Sequence, residues 1–166
     1  MSTNARPFWE ALAPEAMSDD QWESLCDRCG RCCLHSFEDE ETGELGITGV
    51  ACRFLDLQSC ACTDYRNRRK RVPGCLVVPR RGARHLAHLP ETCGYRRLDA
   101  GLPLPEWHPL ITGSFATVHT LGSGACGRVI SEEQVPEEEL VEHIVSWVSP
   151  DRTCGKPLAG EDEVGD

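Results

Sequence analysis

The stretch Cys26-Asp27-Arg28-Cys29-Gly30-Arg31-Cys32-Cys33 governs how the rest of the chain is read. Two cysteines separated by two residues let both sulfurs converge on one ion. Thiolate is the preferred soft donor for zinc and for iron–sulfur centres. On a helix, Cys26, Cys29 and Cys33 lie at about 0°, 300° and 340° around the axis and share one face. Cys32 stands about 100° from Cys33, so the adjacent pair is awkward for one mononuclear ion. One of the two then serves a second metal, a multinuclear cluster or packing. Gly30 works against a continuous helix, at roughly 1 kcal/mol, and a local zinc knuckle at Cys26 and Cys29 is equally open.

Outward from this stretch, nine of the 11 cysteines fall between Cys26 and Cys93. Cys60-Ala61-Cys62 places alternate residues on one face of a strand. A tetrahedral site takes four ligands. The nine therefore fill two such sites with one left over, or one cubane-type cluster with free thiols beside it. Cys26, Cys29, Cys33, Cys52, Cys62 and Cys75 are the first candidates as metal ligands, and Cys32, Cys60 and Cys93 come next. The alternative for any single one is a small buried hydrophobe. Cys126 and Cys154 stand apart and are set aside. His35 follows the motif directly and is either a nitrogen donor or a surface residue, while His85 and His88 read as surface histidines. Arg28, Arg31 and Arg53 interleave with the cysteines and are expected to lower thiolate pKa values.

The chain has 166 residues, which suits one ordinary domain, and its aromatic fraction of 6% makes the core thin. No apolar run approaches the roughly 18 residues of a spanning helix. The N-terminal stretch lacks a signal peptide's apolar segment. The expected location is cytoplasmic, where structural disulfides are rare and clustered cysteines point first to metal or redox chemistry. An odd cysteine count also prevents a fully paired intramolecular set. The net charge is −10, and it is segregated: residues 66–97 carry +9, while 1–65 and 131–166 each carry −9. Such a balance argues against a nucleic-acid partner. The basic stripe, Arg66 to Arg71 above all, reads as a self-neutralising face or a counter-charge to thiolates.

The expected fold class is a small metal-stapled α+β domain with short strands, a hairpin and several short helices. Residues 1–17 form an arm docking through Phe8, Trp9 and Leu12, residues 18–148 the domain, and 149–166 an acidic disordered tail. Ser18 with Gln21 is a capping box. Residues 34–38 and 44–50 flank a loop at Asp39–Gly43 and read as a hairpin. Further strands are expected at Val50–Leu55, Cys75–Val78 and Arg128–Ser131, with weak alternation at Phe115–Leu121. Short helices are expected over 64–71, capped by Thr63, over 83–88 and over 91–99. Residues 101–109 read as an ordered loop. Pro136 starts a helix over 136–148, with Leu140, Ile144 and Trp147 on one face.

These residues carry a resemblance. Cys26-x-x-Cys29-x-x-Cys32-Cys33 is similar to the signature of the cysteine-cluster family described as a zinc- or iron-chelating domain. Cys52-Arg53-Phe54-Leu55, Cys62-Thr63-Asp64-Tyr65, Arg68 and Cys75 resemble its second motif. Trp22 to His35, Val50 to Arg53, Thr92 to Arg96 and Leu104 to Leu110 resemble blocks of its YcgN-type branch. The resemblance covers about residues 18–147 and leaves out Cys126 and Cys154. It implies metal chelation through cysteines, with neither metal nor biological role assigned. Some distant relatives are associated with lysine methylation of flagellin, and this chain is too short for that whole enzyme.

Three functions follow. The first is a metal-binding module holding zinc or iron through thiolates, the metal supplying folding energy that a thin core does not. The second is an enzyme or electron carrier built on an iron–sulfur cluster. The third is a thiol redox sensor. The metal ion is the one partner the residues name. No protein partner is indicated, and the residues do not decide whether the chain is an enzyme.

Overall fold

The computed structural model describes residues 5–80, Leu86 and residues 89–148. After helix α1 (Phe8–Ala11) and a 3-10 turn at Pro14–Ala16, Ser18 starts helix α2 (Asp19–Glu23). The expected capping box is complete: the Gln21 amide donates to Ser18 Oγ at 3.1 Å and the Ser18 amide to Gln21 Oε1 at 2.9 Å. Two helix-end donors are thus satisfied by local sequence alone. Residues 26–30 do not continue the helix. Arg28 and Gly30 take left-handed backbone, with φ of 59° and 75°, and a 3-10 turn over Arg31–Cys33 follows. The shared helical face considered for Cys26, Cys29 and Cys33 is replaced by a loop.

Strands β1 (Leu34–Glu38) and β2 (Leu45–Ala51) form the expected antiparallel hairpin. Asp39 organises its loop, accepting the amides of Glu41 and Thr42 at 2.9 Å each. The strand expected over Val50–Leu55 ends early. Val50 and Ala51 finish β2, and beyond them only Leu55 pairs, with Cys62. The helix expected over 64–71 comes as a 3-10 turn at Tyr65–Asn67 and helix α3 (Arg68–Arg71). Thr63 does not cap it, because its hydroxyl donates to the Phe54 carbonyl at 2.9 Å. Cys75–Val78 forms no strand. Helix α4 (Gly94–Asp99) falls inside the expected 91–99, and the proline-rich loop leads into helix α5 (Pro109–Thr112). Phe115–Leu121 is not extended: helix α6 (Ala116–Thr120) forms there and buries Val118 completely. The helix expected at 83–88, apart from Leu86, and the tail after 148 lie outside the described residues.

The largest departure lies near the C-terminus. Residues 136–148 do not make one helix. A 3-10 stretch over Glu137–His143 gives way to a strand, which follows the short strand β3 (Ile130–Ser131) and is numbered β4 (Ile144–Val148). Leu140 is buried, as its face required, at 7% exposure. Ile144, Val145 and Val148 are β-branched and lose side-chain freedom in a helix. The free edge of β2 offers them a ladder, in the register Leu45 to Val148 and Ile47 to Ser146. Val145, 74% exposed, faces away from the core. β2 is therefore the centre of a four-stranded mixed sheet, with β1 on one edge and β3, parallel, and β4, antiparallel, on the other. Together with the short helices this is a small α+β domain. No helix among the described residues is long and apolar enough to cross a membrane.

One buried node joins three sequence blocks. His108 is wholly buried: its Nδ1 accepts the Leu110 amide at 3.1 Å, so Nε2–H donates to the Leu25 carbonyl at 3.0 Å. Gly94 lies against the same carbonyl, and a Cβ there would stand 2.2 Å from Leu25 O. Leu25 immediately precedes Cys26, so this node fixes where the cysteine loop begins. Gly94→Ala is expected to destabilise the chain by about 1–3 kcal/mol through overpacking. Gly49→Ala, whose Cβ would meet only Val145 Cγ1 at 3.9 Å, is the control. Equal urea midpoints for the two variants would sink this reading.

In the N-terminal arm Phe8 and Trp9 pack edge-on at 5.2 Å, while Leu12, expected to dock with them, is exposed. Met17 is buried, and Arg80 donates to the carbonyls of Pro14 and Met17 at 2.7 and 2.6 Å. Trp22 continues this contact, stacking on Tyr95 at 4.9 Å and donating to the Val78 carbonyl at 3.1 Å.

Candidate metal centre

The hairpin brings the two cysteine groups together. Leu34 pairs with Ala51, so Cys33, just before β1, meets Cys52, just after β2, and the Cys52 amide donates to the Cys33 carbonyl at 2.9 Å. The Leu55–Cys62 bridge folds Cys62 back toward this end, closed by the Asp56 amide on the Ala61 carbonyl at 2.9 Å. The turn after α3 delivers Cys75, whose amide donates to the Val72 carbonyl at 2.9 Å. Cys93 sits at the N-cap of α4.

Eight cysteines are free among the described residues: Cys26, Cys29, Cys32, Cys33, Cys52, Cys62, Cys75 and Cys93. Cys32 lies within electrostatic reach of several of them. Its charge raises the pKa of Cys26, Cys29, Cys75 and Cys93, and its own thiol contacts Cys33. Cys62 lies within electrostatic reach of both Cys75 and Cys52. Ranking Cys32 in the second group rested on helical angles that this loop does not have. The donor chemistry, thiol upon thiol, suits a soft ion. Among the described residues no three Cys, His, Asp or Glu side chains already stand close enough together to hold one.

Six of these thiols are shifted away from the thiolate. Burial of the sulfur pushes Cys26 and Cys93 up to about 12, although Cys26, like Cys32, is an exposed residue as a whole. Burial and then the Asp27 carboxylate hold Cys29 well above the ordinary thiol range, and contact with Cys33 and burial do the same for Cys32. Burial also raises Cys52 and Cys75. The lowering expected from Arg28, Arg31 and Arg53 does not carry the day. Arg28 lies over the Phe115 ring, 4.2 Å from its centre, and the pull of Arg53 on Cys52 is outweighed by burial. A bound cation would reverse this balance, because its charge favours the thiolate that burial disfavours.

Cys60 stands apart from this group, joined to Cys126 in a disulfide with Cα atoms 5.8 Å apart. In that form it offers no thiolate. Its partner is the cysteine that sequence reasoning set aside, and 66 residues separate them. What meets is a loop and a loop: the Ala125 amide donates to the Cys29 carbonyl at 2.7 Å, and Gly30 lies beneath Cys60. A Cβ on Gly30 would stand 2.8 Å from Cys60 Sγ. The bond thus clasps the Cys29–Gly30 turn from outside. Cys154, His85 and His88 lie outside the described residues.

His35 is engaged elsewhere. Its Nε2 lies 2.6 Å from Glu132 Oε2, while the Arg53 amide donates to Oε1 at 2.8 Å. Burial pushes the Glu132 carboxyl up, but the Arg53 amide, His35 and the Arg53 guanidinium together hold it below its usual value. A depressed folded pKa gives stability that is present above the unfolded value and lost as pH falls through the folded one. Glu132→Gln should therefore cost up to about 1 kcal/mol at pH 7, given its partial exposure. That cost should disappear as pH falls from 7 through the lowered folded value. Urea unfolding of both proteins across this range checks it, and a difference that grows in acid would contradict it.

Part of the basic stripe is paired within the chain. Arg71 pairs with Asp64 at 2.9 Å, Arg80 with Asp19 at 2.6 Å, and Arg68 stacks on Tyr65 at 3.8 Å. Arg68 and Arg69 also lean on Cys75 electrostatically, pulling against the burial that raises it.

Comparison with known proteins agrees with the cysteine pattern. The family named CxxCxxCC, described as "Putative zinc- or iron-chelating domain", matches residues 25–94. The chain is 48% identical over 142 residues to a "UPF0260 protein" of Marinobacter nauticus, covering 86% of this chain and 96% of that protein. It is 49% identical over 143 residues to a "UPF0260 protein" of Cellvibrio japonicus, covering 86% and 97%. A Gluconobacter oxydans relative of the same name is 43% identical over 155 residues, covering 92% and 94%. No solved structure gives a significant match.

Proposed function

This chain belongs to the UPF0260 family of CxxCxxCC proteins, and from that premise we propose that it chelates zinc or iron through the thiols gathered around Cys32. The observation that carries the reading is that Cys32 contacts Cys33 and lies within electrostatic reach of Cys26, Cys29, Cys75 and Cys93. These thiols come from three separate stretches of chain and have no catalytic partner among them. Cys52 and Cys62 extend the donor set. Cys60, tied to Cys126, is left out of it. The metal supplies a fixed positive charge that favours the thiolate form, and it links loops that the small sheet does not hold. The chain's own residues order the donors. His108 and Gly94 set the start of the loop, and the hairpin sets Cys33 against Cys52.

Purification from native expression without air, followed by elemental analysis and a visible spectrum, tests this. At least one equivalent of zinc (colourless) or iron (coloured) is expected per chain, falling in Cys32→Ser and unchanged in Cys60→Ser. Absence of both metals from the native protein and from reduced, reconstituted protein would overturn it.

A further inference from the structure

Asp27 lies inside the cysteine motif and is 97% shielded, with 3% of its surface exposed. Its Oδ1 accepts the Cys29 amide at 3.0 Å. Its Oδ2 is buried and has no hydrogen-bond partner. A buried carboxylate oxygen with nothing to meet it is costly, and such groups are ordinarily paired with a cation or bound to a metal. The neighbouring Arg28 does not serve, since its guanidinium stacks on Phe115. Within electrostatic reach of the carboxylate lie the thiols of Cys26, Cys29 and Cys32. None of these thiols donates to Oδ2, whereas an ion that they share with it would meet it. Carboxylate oxygen is an accepted zinc and iron donor beside thiolate.

We propose that Asp27 Oδ2 is a ligand of the metal centre, so that the site is a mixed thiolate–carboxylate one. The inference rests on the chelation reading above and assigns a donor that the cysteine pattern does not contain. A carboxylate in place of one thiolate makes the site harder, lowers the sulfur count at the ion, and explains why a charged residue is buried among thiols. Oδ1 stays on the Cys29 amide, which fixes the turn while Oδ2 faces the ion.

The test uses the full, reduced chain loaded with Co(II) as the probe. Asp27→Asn keeps the shape and the bond to the Cys29 amide. It should weaken Co(II) binding by roughly 10- to 100-fold in a chelator competition and shift the visible d–d bands. Asp27→Cys should retain tight binding and raise the sulfur-to-cobalt charge-transfer intensity per bound ion, because a thiolate replaces an oxygen. Circular dichroism and thermal unfolding of the metal-free variants check that both fold. If Asp27→Cys does not fold, the d–d shift of Asp27→Asn decides. Variants that match the parent in affinity and spectrum overturn the proposal. So does an Asp27→Asn that binds weakly with unshifted bands, or an Asp27→Cys with unchanged charge transfer, since either describes a residue that only shapes the loop. A parent chain that takes up no Co(II) overturns the chelation reading itself, a different result from a parent that binds and variants that do the same.

Discussion

Stripping the metal-loaded chain with a chelator is expected to lower its unfolding temperature by on the order of 10 °C. A ligand that binds only the folded state stabilises it by about 4 kcal/mol at a thousand times its dissociation constant. For a chain of this size each kcal/mol moves the midpoint by about 2–4 °C. The structure gives reasons to expect an effect this large. The sheet is small: β3 has two residues and β4 five. Residues 52–80 hold no strand, only turns and short helices, and three of the clustered thiols lie there. Without metal, burial raises Cys52 and Cys75 and so disfavours their thiolates. With metal they tie this segment to the cysteine loop. Calorimetry with and without chelator, repeated on Cys32→Ser, reads the effect. The variant should unfold near the chelated parent's temperature and respond little to chelator. A parent indifferent to chelator would contradict the expectation.

Breaking the Cys60–Cys126 bond is expected to have the second-largest effect. Closing a loop of 66 residues removes denatured-state entropy worth about 4 kcal/mol. Cys126→Ser and Cys60→Ser should each lose roughly that much, and the double variant no more than either, because both remove one bond. Reductant should bring the parent down to the same level and leave the variants unmoved. Alkylation of denatured, unreduced protein followed by mass spectrometry should find these two cysteines linked. Both alkylated in every preparation would contradict the bond.

What was legible in the sequence was local. Ser18 and Gln21 carry a complete capping box within four residues, and Asp39 carries its own loop, so α2 and the hairpin follow from neighbours alone. The misread segments depend on distant partners. Leu140, Ile144 and Trp147 are spaced for a helix face, yet Ile144–Val148 pairs with β2, about a hundred residues earlier. Nothing within 136–148 announces that edge. The same holds for the candidate site. The clustered cysteines were visible by spacing, but their grouping around Cys32 depends on two left-handed residues, Arg28 and Gly30, that break the helical wheel. Cys126 looked idle because its partner is 66 residues away. Asp27 passed unnoticed because a carboxylate in a polar stretch reads as exposed, and only its burial marks it out. The interleaved arginines were misjudged because proximity in sequence says nothing of how strongly burial opposes them.

Proton release on metal binding tests the central claim most directly. Cys26 and Cys93 are pushed up to about 12, and Cys29 and Cys32 stand well above the ordinary range, so the metal-free thiols hold their protons at pH 7. Each one that becomes a ligand must lose its proton. Titrating zinc into the reduced, metal-free chain at pH 7, in buffers of different ionisation enthalpy, counts those protons. The account predicts saturable binding with about three protons released per zinc, and an affinity that rises with pH. Saturable binding with no proton release, or no saturable binding at all, would contradict it.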